Sequence, residues 1–237
     1  MRQIGLIFVL LLAACGGPAP EPTAVPTPTP TPREIVISIG QATQAAQSLH
    51  FAIELTGKPV KADTSGLFNL NSMEGDLKRP DGVLAVLQLS GAAGVAEIRS
   101  VSLAGKQYIT NPITRQWACL PPGVALDPVV LFDPTKGVEY LLQQELTDVS
   151  MVGSEELDGR PHYHLKGSLP AAPLQAISLG LLGAGPVSVE LWADQASLRA
   201  TRLVLVDTAT DPAEPSTWSV LFSDYDKTVE VREPVSC

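Results

Sequence analysis

The sequence predicts an α+β domain in which one curved antiparallel β-sheet of about ten strands carries helices on one face. Two observations indicate this class. Short segments alternate apolar and polar side chains with the period of two that marks a half-buried strand, and turn sequences rich in Gly, Pro and Asp separate them. Helical spacing occurs in few places and does not alternate with the strands, as it would in a parallel doubly wound sheet.

Residues 1–14 have the composition of a signal peptide. Arg2 supplies the positive charge, an apolar run follows, and Ala13 and Ala14 are the small residues of a cleavage site. An apolar helix of about 11 residues, rising roughly 1.5 Å per residue, is too short to cross a hydrocarbon core of about 30 Å. We therefore expect this segment to be removed rather than to span the membrane.

The residues around the first cysteine resemble the bacterial lipobox. Leu12, Ala13 and Ala14 precede Cys15, and Gly16 follows it. In a lipobox the cysteine thiol receives diacylglycerol, and the peptide bond before it is cut. Several acyl chains on one residue make a stable anchor where a single chain does not. Lipidated Cys15 is therefore expected to hold the protein on the extracytoplasmic face of the cell membrane; the alternative is an ordinary signal peptide with a chance cysteine.

Residues 15–33 are predicted to be a tether. Between Pro18 and Pro32 the chain is mostly Pro, Thr and Ala, without apolar periodicity. Such a run favours polyproline II, which extends about 3.1 Å per residue. A Pro-rich recognition ligand is the less favoured interpretation, because Thr alternates with Pro without the basic residues that orient such ligands. The folded domain is then expected over residues 34–237.

Composition limits the classes of partner. The formal net charge of −9 and the pI near 4.8 argue against attraction to nucleic acid or to anionic lipid. Charged residues make up only 17%, and the mean hydropathy is +0.17, so apolar side chains must fill a core or line a cavity. We therefore expect neutral or apolar partners and no cofactor.

Two further cysteines, Cys119 and Cys237, form the one pair left when Cys15 carries lipid. An extracytoplasmic compartment permits a disulfide between them. The pairing stays open at this point, because the sequence does not show whether their Cα atoms approach to about 6 Å.

The strands are predicted from alternation. Residues 49–56 show it clearly, because Phe51 and Ile53 alternate with Ala52 and Glu54. The predicted strands are residues 49–56, 66–77, 83–89, 96–103, 106–110, 148–156, 160–169, 187–193, 200–207, 217–224 and 228–232.

Three helices are predicted from 3.6-residue spacing. Residues 34–48 are Ala-rich in their second half, although a β-branched start and Gly40 favour an irregular beginning. Residues 135–146 repeat apolar side chains at helical spacing, and residues 171–182 carry Pro173 in the first turn, where proline is tolerated.

Signatures of catalysis are weak. His162 and His164 share one face of a predicted strand and could bind a metal with His50 or a carboxylate as third ligand. Solvent-facing histidines are the favoured interpretation, because no His-Glu-x-x-His or Cys-x-x-Cys spacing accompanies them. The sequence also lacks a Gly-x-Ser-x-Gly elbow, a phosphate loop and a dinucleotide fingerprint. We expect no enzyme, no catalytic residue and no resident metal.

Six segments in order resemble the LppX/LprG-type lipoproteins of mycobacteria and other bacteria over about residues 35–234. These segments are residues 77–82, 108–117, 131–137, 152–159, 191–194 and 218–225. The resemblance implies a half-barrel antiparallel sheet covering helices, related in shape to the LolA/LolB lipoprotein carriers. It also implies a hydrophobic cavity that holds a lipid or an acylated glycolipid. The long Pro-Thr tether and Cys119 depart from the family pattern, and neither identifies the lipid.

The width of the predicted half-barrel is a physical reason, separate from the resemblance, to expect a cavity. A half-barrel too wide to be filled by its own side chains leaves an apolar pocket. Alternation alone cannot separate such a pocket from a packed core, because both use the same residues. The resemblance favours the cavity. Its predicted walls are the apolar residues at inward positions: Phe51, Ile53, Leu55, Leu84, Val86, Val101, Leu103, Leu141, Leu142, Leu174, Ile177, Leu181, Val189, Leu191, Leu203 and Leu205.

The expected function is therefore that of a membrane-anchored lipoprotein that carries or presents an acyl-chain lipid or glycolipid in the cell envelope, with an envelope transport partner that the sequence does not identify. The alternative is a surface lipoprotein with a packed core that binds proteins or senses envelope stress without lipid cargo. An enclosed cavity would favour the carrier, and a flat exposed apolar patch would favour the alternative.

Overall fold

The computed structural model describes residues 29–62, 66–92, 94–121, 124, 127–178, 180, 182 and 185–237. The predicted signal peptide, Cys15, most of the predicted tether and Leu181 lie outside these residues. Among the described residues, no helix combines the length and apolar character needed to cross a membrane.

One antiparallel sheet of twelve strands forms the framework. The strands are β1 (Ser48–Thr56), β2 (Val60–Lys61), β3 (Phe68–Lys78), β4 (Gly82–Gly91), β5 (Gly94–Leu103), β6 (Lys106–Thr110), β7 (Trp117–Leu120), β8 (Thr147–Leu157), β9 (Arg160–Leu169), β10 (Val187–Asp194), β11 (Ala200–Asp207) and β12 (Ser216–Ser223). Their spatial order is β7-β6-β5-β4-β3-β1-β12-β11-β10-β9-β8, with β2 paired to β3. The sheet is open, and the prediction of a single antiparallel sheet is confirmed.

The strand predictions differ from the structure at three places. The two-residue β2 and the four-residue β7 are too short to show a period-two pattern, so the sequence did not predict them. The predicted strand at 228–232 was wrong, because this segment lies outside the sheet. Its alternating Val229 and Val231 suit a segment packed across a surface as well as a strand, and Val231 lies beside Gly82.

The first helix begins more regularly than the sequence suggested. α1 (Pro32–Gln44) starts inside the range assigned to the tether, because Thr31 caps it and exchanges hydrogen bonds with Glu34 in a capping box. The β-branched residues that weaken a helix are largely buried here, so tertiary packing outweighs propensity. A 3₁₀ helix (Pro128–Phe132), α2 (Val138–Gln144) and α3 (Ala171–Ser178) complete the helices.

The core lies between the helices and one face of the sheet. The register places Phe51 opposite Phe222 and Leu191 opposite Leu203, so these side chains share that face. We call it the concave face, and the opposite one the convex face. The convex side is crossed by the C-terminal strap, defined as residues 224–237.

The strap is fastened at both ends. Near its start, the Asp226 N–H donates to the Ser48 carbonyl at 2.9 Å. At its end, Cys237 is bonded to Cys119 of β7, with the two Cα atoms 5.9 Å apart. Between them, Lys106 pairs with Glu233 at 3.0 Å. The strap therefore joins the start of β1 to the β7 edge of the sheet.

Candidate functional site

An apolar cavity lies between the concave face and the helices. Its walls come from four strands, β1, β9, β11 and β12, and from all of the helices except α1. The lining residues are Ile53, Leu131, Phe132, Val138, Leu141, Leu142, Leu169, Leu174, Ile177, Ser178, Leu182, Leu203, Leu205, Trp218, Val220 and Phe222. None of them carries a charge.

Two lining residues have polar side-chain atoms, and only one is satisfied. The Ser178 hydroxyl donates to the Leu174 carbonyl at 2.7 Å and accepts from the Leu182 N–H at 3.1 Å. The indole N–H of Trp218 is buried and, among the described residues, has no hydrogen-bond partner. The surface of the cavity is therefore hydrocarbon throughout, and the free N–H of Trp218 belongs to a lining residue without being exposed to the space.

The cavity is small in this conformation, with a volume of about 40 Å³. That space exceeds the roughly 10–15 Å³ needed for one water but is far below the 300–1,000 Å³ of typical ligand pockets. An acyl chain would therefore enter only if wall residues moved apart.

The structure brings seven of the predicted wall residues to the cavity. They are Ile53, Leu141, Leu142, Leu174, Ile177, Leu203 and Leu205. Phe51, Val189 and Leu191 are buried in the same core without lining the space, and Leu55 packs against that core from a partly buried position.

Four predicted wall residues lie on the convex face instead. Leu84 is opposite Val101 in the β4–β5 pair and Val86 is opposite Arg99, whereas Val83 and Ala85 face the core. Leu103 has the same parity as Val101 and is likewise convex. β4 is apolar at nearly every position, so alternation could not set its phase, and an error of one residue turns every side chain to the other face.

Several lining residues were missed. Trp218, Val220 and Phe222 alternate along β12, and this signal could have identified them. Leu131 and Phe132 lie in the 3₁₀ helix, which is too short to give a helical period, so no sequence signal marked them.

The histidines form a separate cluster on the convex face. His162 and His164 were expected to face solvent, but both are buried. His162 is 2% exposed, with its Nδ1 2.9 Å from the Arg160 carbonyl oxygen, and only 9% of the His164 side chain is exposed. The His164 Nδ1 lies 2.5 Å from Glu155 and its Nε2 lies 2.8 Å from Glu190, and its ring stacks on Trp192. The Trp192 N–H also donates to Glu155, and this bond and the His164 contact lower the pKa of that carboxyl.

His50 lies elsewhere, paired with Asp76 at 2.9 Å. Within the described part of the chain, no three His, Cys, Asp or Glu side chains are placed to hold a metal ion. The histidine cluster joins β8, β9 and β10 side by side, and its contacts account for its polar groups.

The fold and the cavity together define an open, single-sheet protein with a helix-covered apolar interior. Residues 31–231 match the model of the LppX_LprAFG lipoprotein family, and the chain belongs to this family. The family is one of lipoproteins, which places the protein with the envelope-associated proteins.

Two crystal structures share the fold. LprF from Mycobacterium bovis superposes with a TM-score of 0.69 at 16% identity, covering 89% of this chain and 100% of that chain. The lipoprotein LppX from Mycobacterium tuberculosis superposes with a TM-score of 0.61 at 16% identity, covering 85% of this chain and 98% of that chain. No curated protein sequence matches the chain significantly.

Proposed function

We propose that this protein is a membrane-anchored carrier that holds an acyl chain of a lipid or glycolipid in the concave-face cavity and carries or presents it in the cell envelope. The observation that carries the proposal is the chemistry of the cavity lining, which is hydrocarbon except for Ser178 and the Trp218 N–H. Such walls suit an acyl chain, whereas a charged headgroup would lose its hydration without gaining a partner.

Loading requires the cavity to expand from about 40 Å³. Of the cavity-lining helices, α3 is the best suited to move. It lies in the connection between β9 and β10, and Leu174 and Ile177 face the cavity from it. An acyl chain that displaced these side chains would replace one set of apolar contacts by another, so the cost of opening is offset by the bound chain.

α2 is held more firmly. Arg33 of α1 donates to the carbonyls of Leu142 and Leu146 at 3.1 and 2.9 Å, which satisfies acceptors at the C-terminal end of α2. Glu139 of the same helix forms an ion pair with Arg79. Moving α2 would break these polar contacts, and an acyl chain could not replace them.

The small volume favours a second candidate, the surface lipoprotein with a packed interior that binds proteins. Native mass spectrometry of the full chain, released gently from detergent and followed by solvent extraction, separates the two. Acyl lipid bound at about one per chain supports the carrier. A lipid-free mass that also takes up no added lipid overturns it in favour of the packed module.

A further inference from the structure

Trp218, a residue of the cavity wall, has a free donor that indicates which part of a lipid it would meet when the walls move apart, an inference that rests on the proposed function. Trp218 is 4% exposed, and its N–H has no partner among the described residues. A buried donor left unpaired destabilises a protein, so most such groups in native structures have an acceptor. The lining offers none, because the Ser178 hydroxyl is already bonded within its own segment.

The position of Trp218 indicates how deep this acceptor would lie. It is the third residue of β12 and pairs with Leu55, one residue before the end of β1. Trp218 is therefore near one end of the sheet, while Val220 and Phe222 continue the cavity wall toward the middle. We propose that, once the walls have moved apart to admit a lipid, the Trp218 N–H donates to the ester or amide carbonyl oxygen that joins an acyl chain to its headgroup.

A pair of lipids tests this assignment. The full chain is titrated with a diacyl phosphatidylcholine and with the dialkyl ether analogue, which has the same chains but lacks the carbonyl groups. We expect the parental protein to prefer the ester lipid by about three- to tenfold, the usual range for one neutral hydrogen bond. Trp218→Phe keeps an aromatic ring without the donor, so it should lose the preference while still binding the ether lipid.

The outcomes separate the assignment of Trp218 from the proposed carrier function. Equal affinity of the parental protein for the two lipids would overturn the assignment of Trp218 but leave the carrier intact. Failure of the parental protein to bind either lipid would overturn the carrier itself. Circular dichroism and a thermal melt of Trp218→Phe check that its fold is retained.

The most exposed apolar residues lie together at one end of the sheet. Antiparallel strands put successive connections at alternate ends of a sheet. The register pairs Thr56 with Thr217, Gly91 with Gly94, and Thr110 with Trp117. The connections that follow β1, β4 and β6 therefore lie at one end, which we call the tether end.

The N-terminus of α1 is at the same end. The C-terminus of α1 leads into Ser48, which pairs with Lys78 at the opposite end. Near the N-terminus of α1, Arg33 donates to the Leu146 carbonyl. Leu146 directly precedes β8, whose first residue pairs with Ser168 near the end of β9, and β9 ends at the tether end. The chain before Thr31 thus leaves the domain at the tether end, and the 17 residues from Cys15 to Thr31 can span at most about 60 Å.

Three apolar side chains project at this end. Leu67, Val95 and Ile113 are 68%, 75% and 89% exposed, the highest values for large hydrophobic residues in the described part of the chain. Leu67 precedes β3, Val95 is the second residue of β5, and Ile113 lies in the turn that follows β6. Monomeric soluble proteins rarely group such residues without a binding role.

The exposure of Ile113 is fixed by its turn. The Asn111 side-chain oxygen accepts from the N–H groups of Ile113 and Thr114, both at 2.9 Å. The Arg115 N–H donates to the Asn111 carbonyl at 2.9 Å, which closes the turn. The isoleucine is therefore held outward by backbone geometry.

The charge around these side chains does not oppose contact with a bilayer. In sequence, the three connections carry Lys58, Lys61 and Arg115 against one acidic residue, Asp63, so their net charge is positive although that of the whole chain is −9. Arg115 is paired with Glu97 of β5 at 3.4 Å. The acidic connection between β11 and β12 lies at the same end, and its Asp211 is paired with Lys58 at 3.2 Å.

We infer that the tether end rests on the membrane that holds Cys15, with Leu67, Val95 and Ile113 in the boundary between headgroups and acyl chains. α3 connects two strands at this end, so a lipid passes from the bilayer to the cavity beside it without crossing bulk water. This inference also rests on the proposed function.

Brominated lipids test the contact. The full-length lipoprotein is reconstituted into phosphatidylcholine vesicles whose acyl chains carry bromine, which quenches nearby tryptophan. We expect added quenching in Val95→Trp and Ile113→Trp relative to the parental protein. Ala196→Trp is the matched control, since it is exposed at a hairpin of the opposite end, and it should show none. Equal quenching in all three variants, or none in any, would overturn the inference.

Lipid uptake tests the route. The triple variant Leu67→Glu, Val95→Glu, Ile113→Glu should still float with vesicles and still bind a short-chain lipid supplied as monomers. Its uptake from vesicles should slow by about an order of magnitude, because three charged residues do not enter the bilayer boundary. Uptake from vesicles at the parental rate would contradict the route. A parental protein that binds neither form of lipid would instead contradict the carrier.

Discussion

The carboxylate of Glu139 lies 2.6 Å from the guanidinium of Arg79, and only 2% of the Glu139 side chain is exposed. Arg79 also donates to the carbonyls of Ala46 and Phe132. One side chain from the turn between β3 and β4 thus joins the end of α1, the 3₁₀ helix and α2. The helical layer is fastened to the sheet at this point, on the side away from α3.

Removing the cation should strongly destabilise the protein. In Arg79→Ala the Glu139 carboxylate loses its partner in a buried site, and breaking a buried pair in this way typically costs about 3–5 kcal/mol. Urea unfolding followed by circular dichroism measures this loss. Arg99→Ala is the control, because Arg99 is 61% exposed in its pair with Glu97 and should change stability little. Equal effects of the two variants would show that the buried pair has no special role.

The same pair predicts a dependence of stability on pH. Burial raises the pKa of Glu139, and the attraction of Arg79 opposes this only in part. A carboxyl whose pKa is higher in the folded state contributes stability below its unfolded pKa and loses it as the pH rises through the folded pKa. The unfolding free energy of the parental protein minus that of Glu139→Gln should therefore fall from acid toward neutral pH. A difference that rises with pH would contradict the direction of this shift.

The sequence predicted best where polar residues interrupt the strands. In β1 the polar residues His50 and Glu54 alternate with apolar ones, and Ile53 was correctly assigned to the inner face. In β4 both faces are apolar, because the C-terminal strap covers one part of the sheet from outside. When both faces of a strand are buried, its inward and outward residues are both apolar, and the pattern does not show which of them face the core. Leu84 and Val86 were therefore assigned to the wrong face.

The strap itself shows the limit of local patterns. Its alternating valines predicted a strand, but the position of the segment depends on contacts with residues far away in sequence, such as Cys119 and Lys106. The volume of the cavity is equally inaccessible to sequence analysis, since it depends on how closely α3 and the 3₁₀ helix approach the sheet.

Breaking the bond between Cys119 and Cys237 should destabilise the protein and expose the convex face. The bond closes a long loop, and such bonds typically stabilise by about 2–4 kcal/mol. Val101 and Tyr108, now 3% and 0% exposed, lie on the face that the strap crosses. The double variant Cys119→Ala, Cys237→Ala should melt at a lower temperature and bind more of a hydrophobic dye. Reductant should reproduce this in the parental protein and have no effect on the variant.

Replacing the predicted lipid anchor should release the protein. Cys15→Ala removes the thiol that the lipobox resemblance marks for diacylglycerol, and the described part of the chain has no helix able to cross a membrane in its place. Fractionation of expressing cells should move the protein from the membrane pellet to the soluble or secreted fraction. Cys119→Ala is the control and should stay in the pellet. Continued sedimentation of Cys15→Ala would reject the lipobox.

Filling the cavity should block lipid loading without changing the surface. Leu142 is 1% exposed and lines the cavity from α2, the helix that polar contacts hold in place. Leu142→Trp adds more volume than the space of about 40 Å³ readily accepts, and such overpacking costs about 1–3 kcal/mol. Because the added ring occupies the position an acyl chain would take, lipid bound per chain should fall well below the parental amount in native mass spectrometry.

Leu221→Trp gives the matched control, because this residue is 51% exposed on the convex face and does not line the cavity. It should keep the parental lipid load. If Leu142→Trp is too unstable to purify, Ile177→Phe makes the same test from α3 with a smaller change in volume. An unchanged lipid load in a folded cavity variant would mean that the acyl chain binds elsewhere, and the concave-face cavity would then be a packed core.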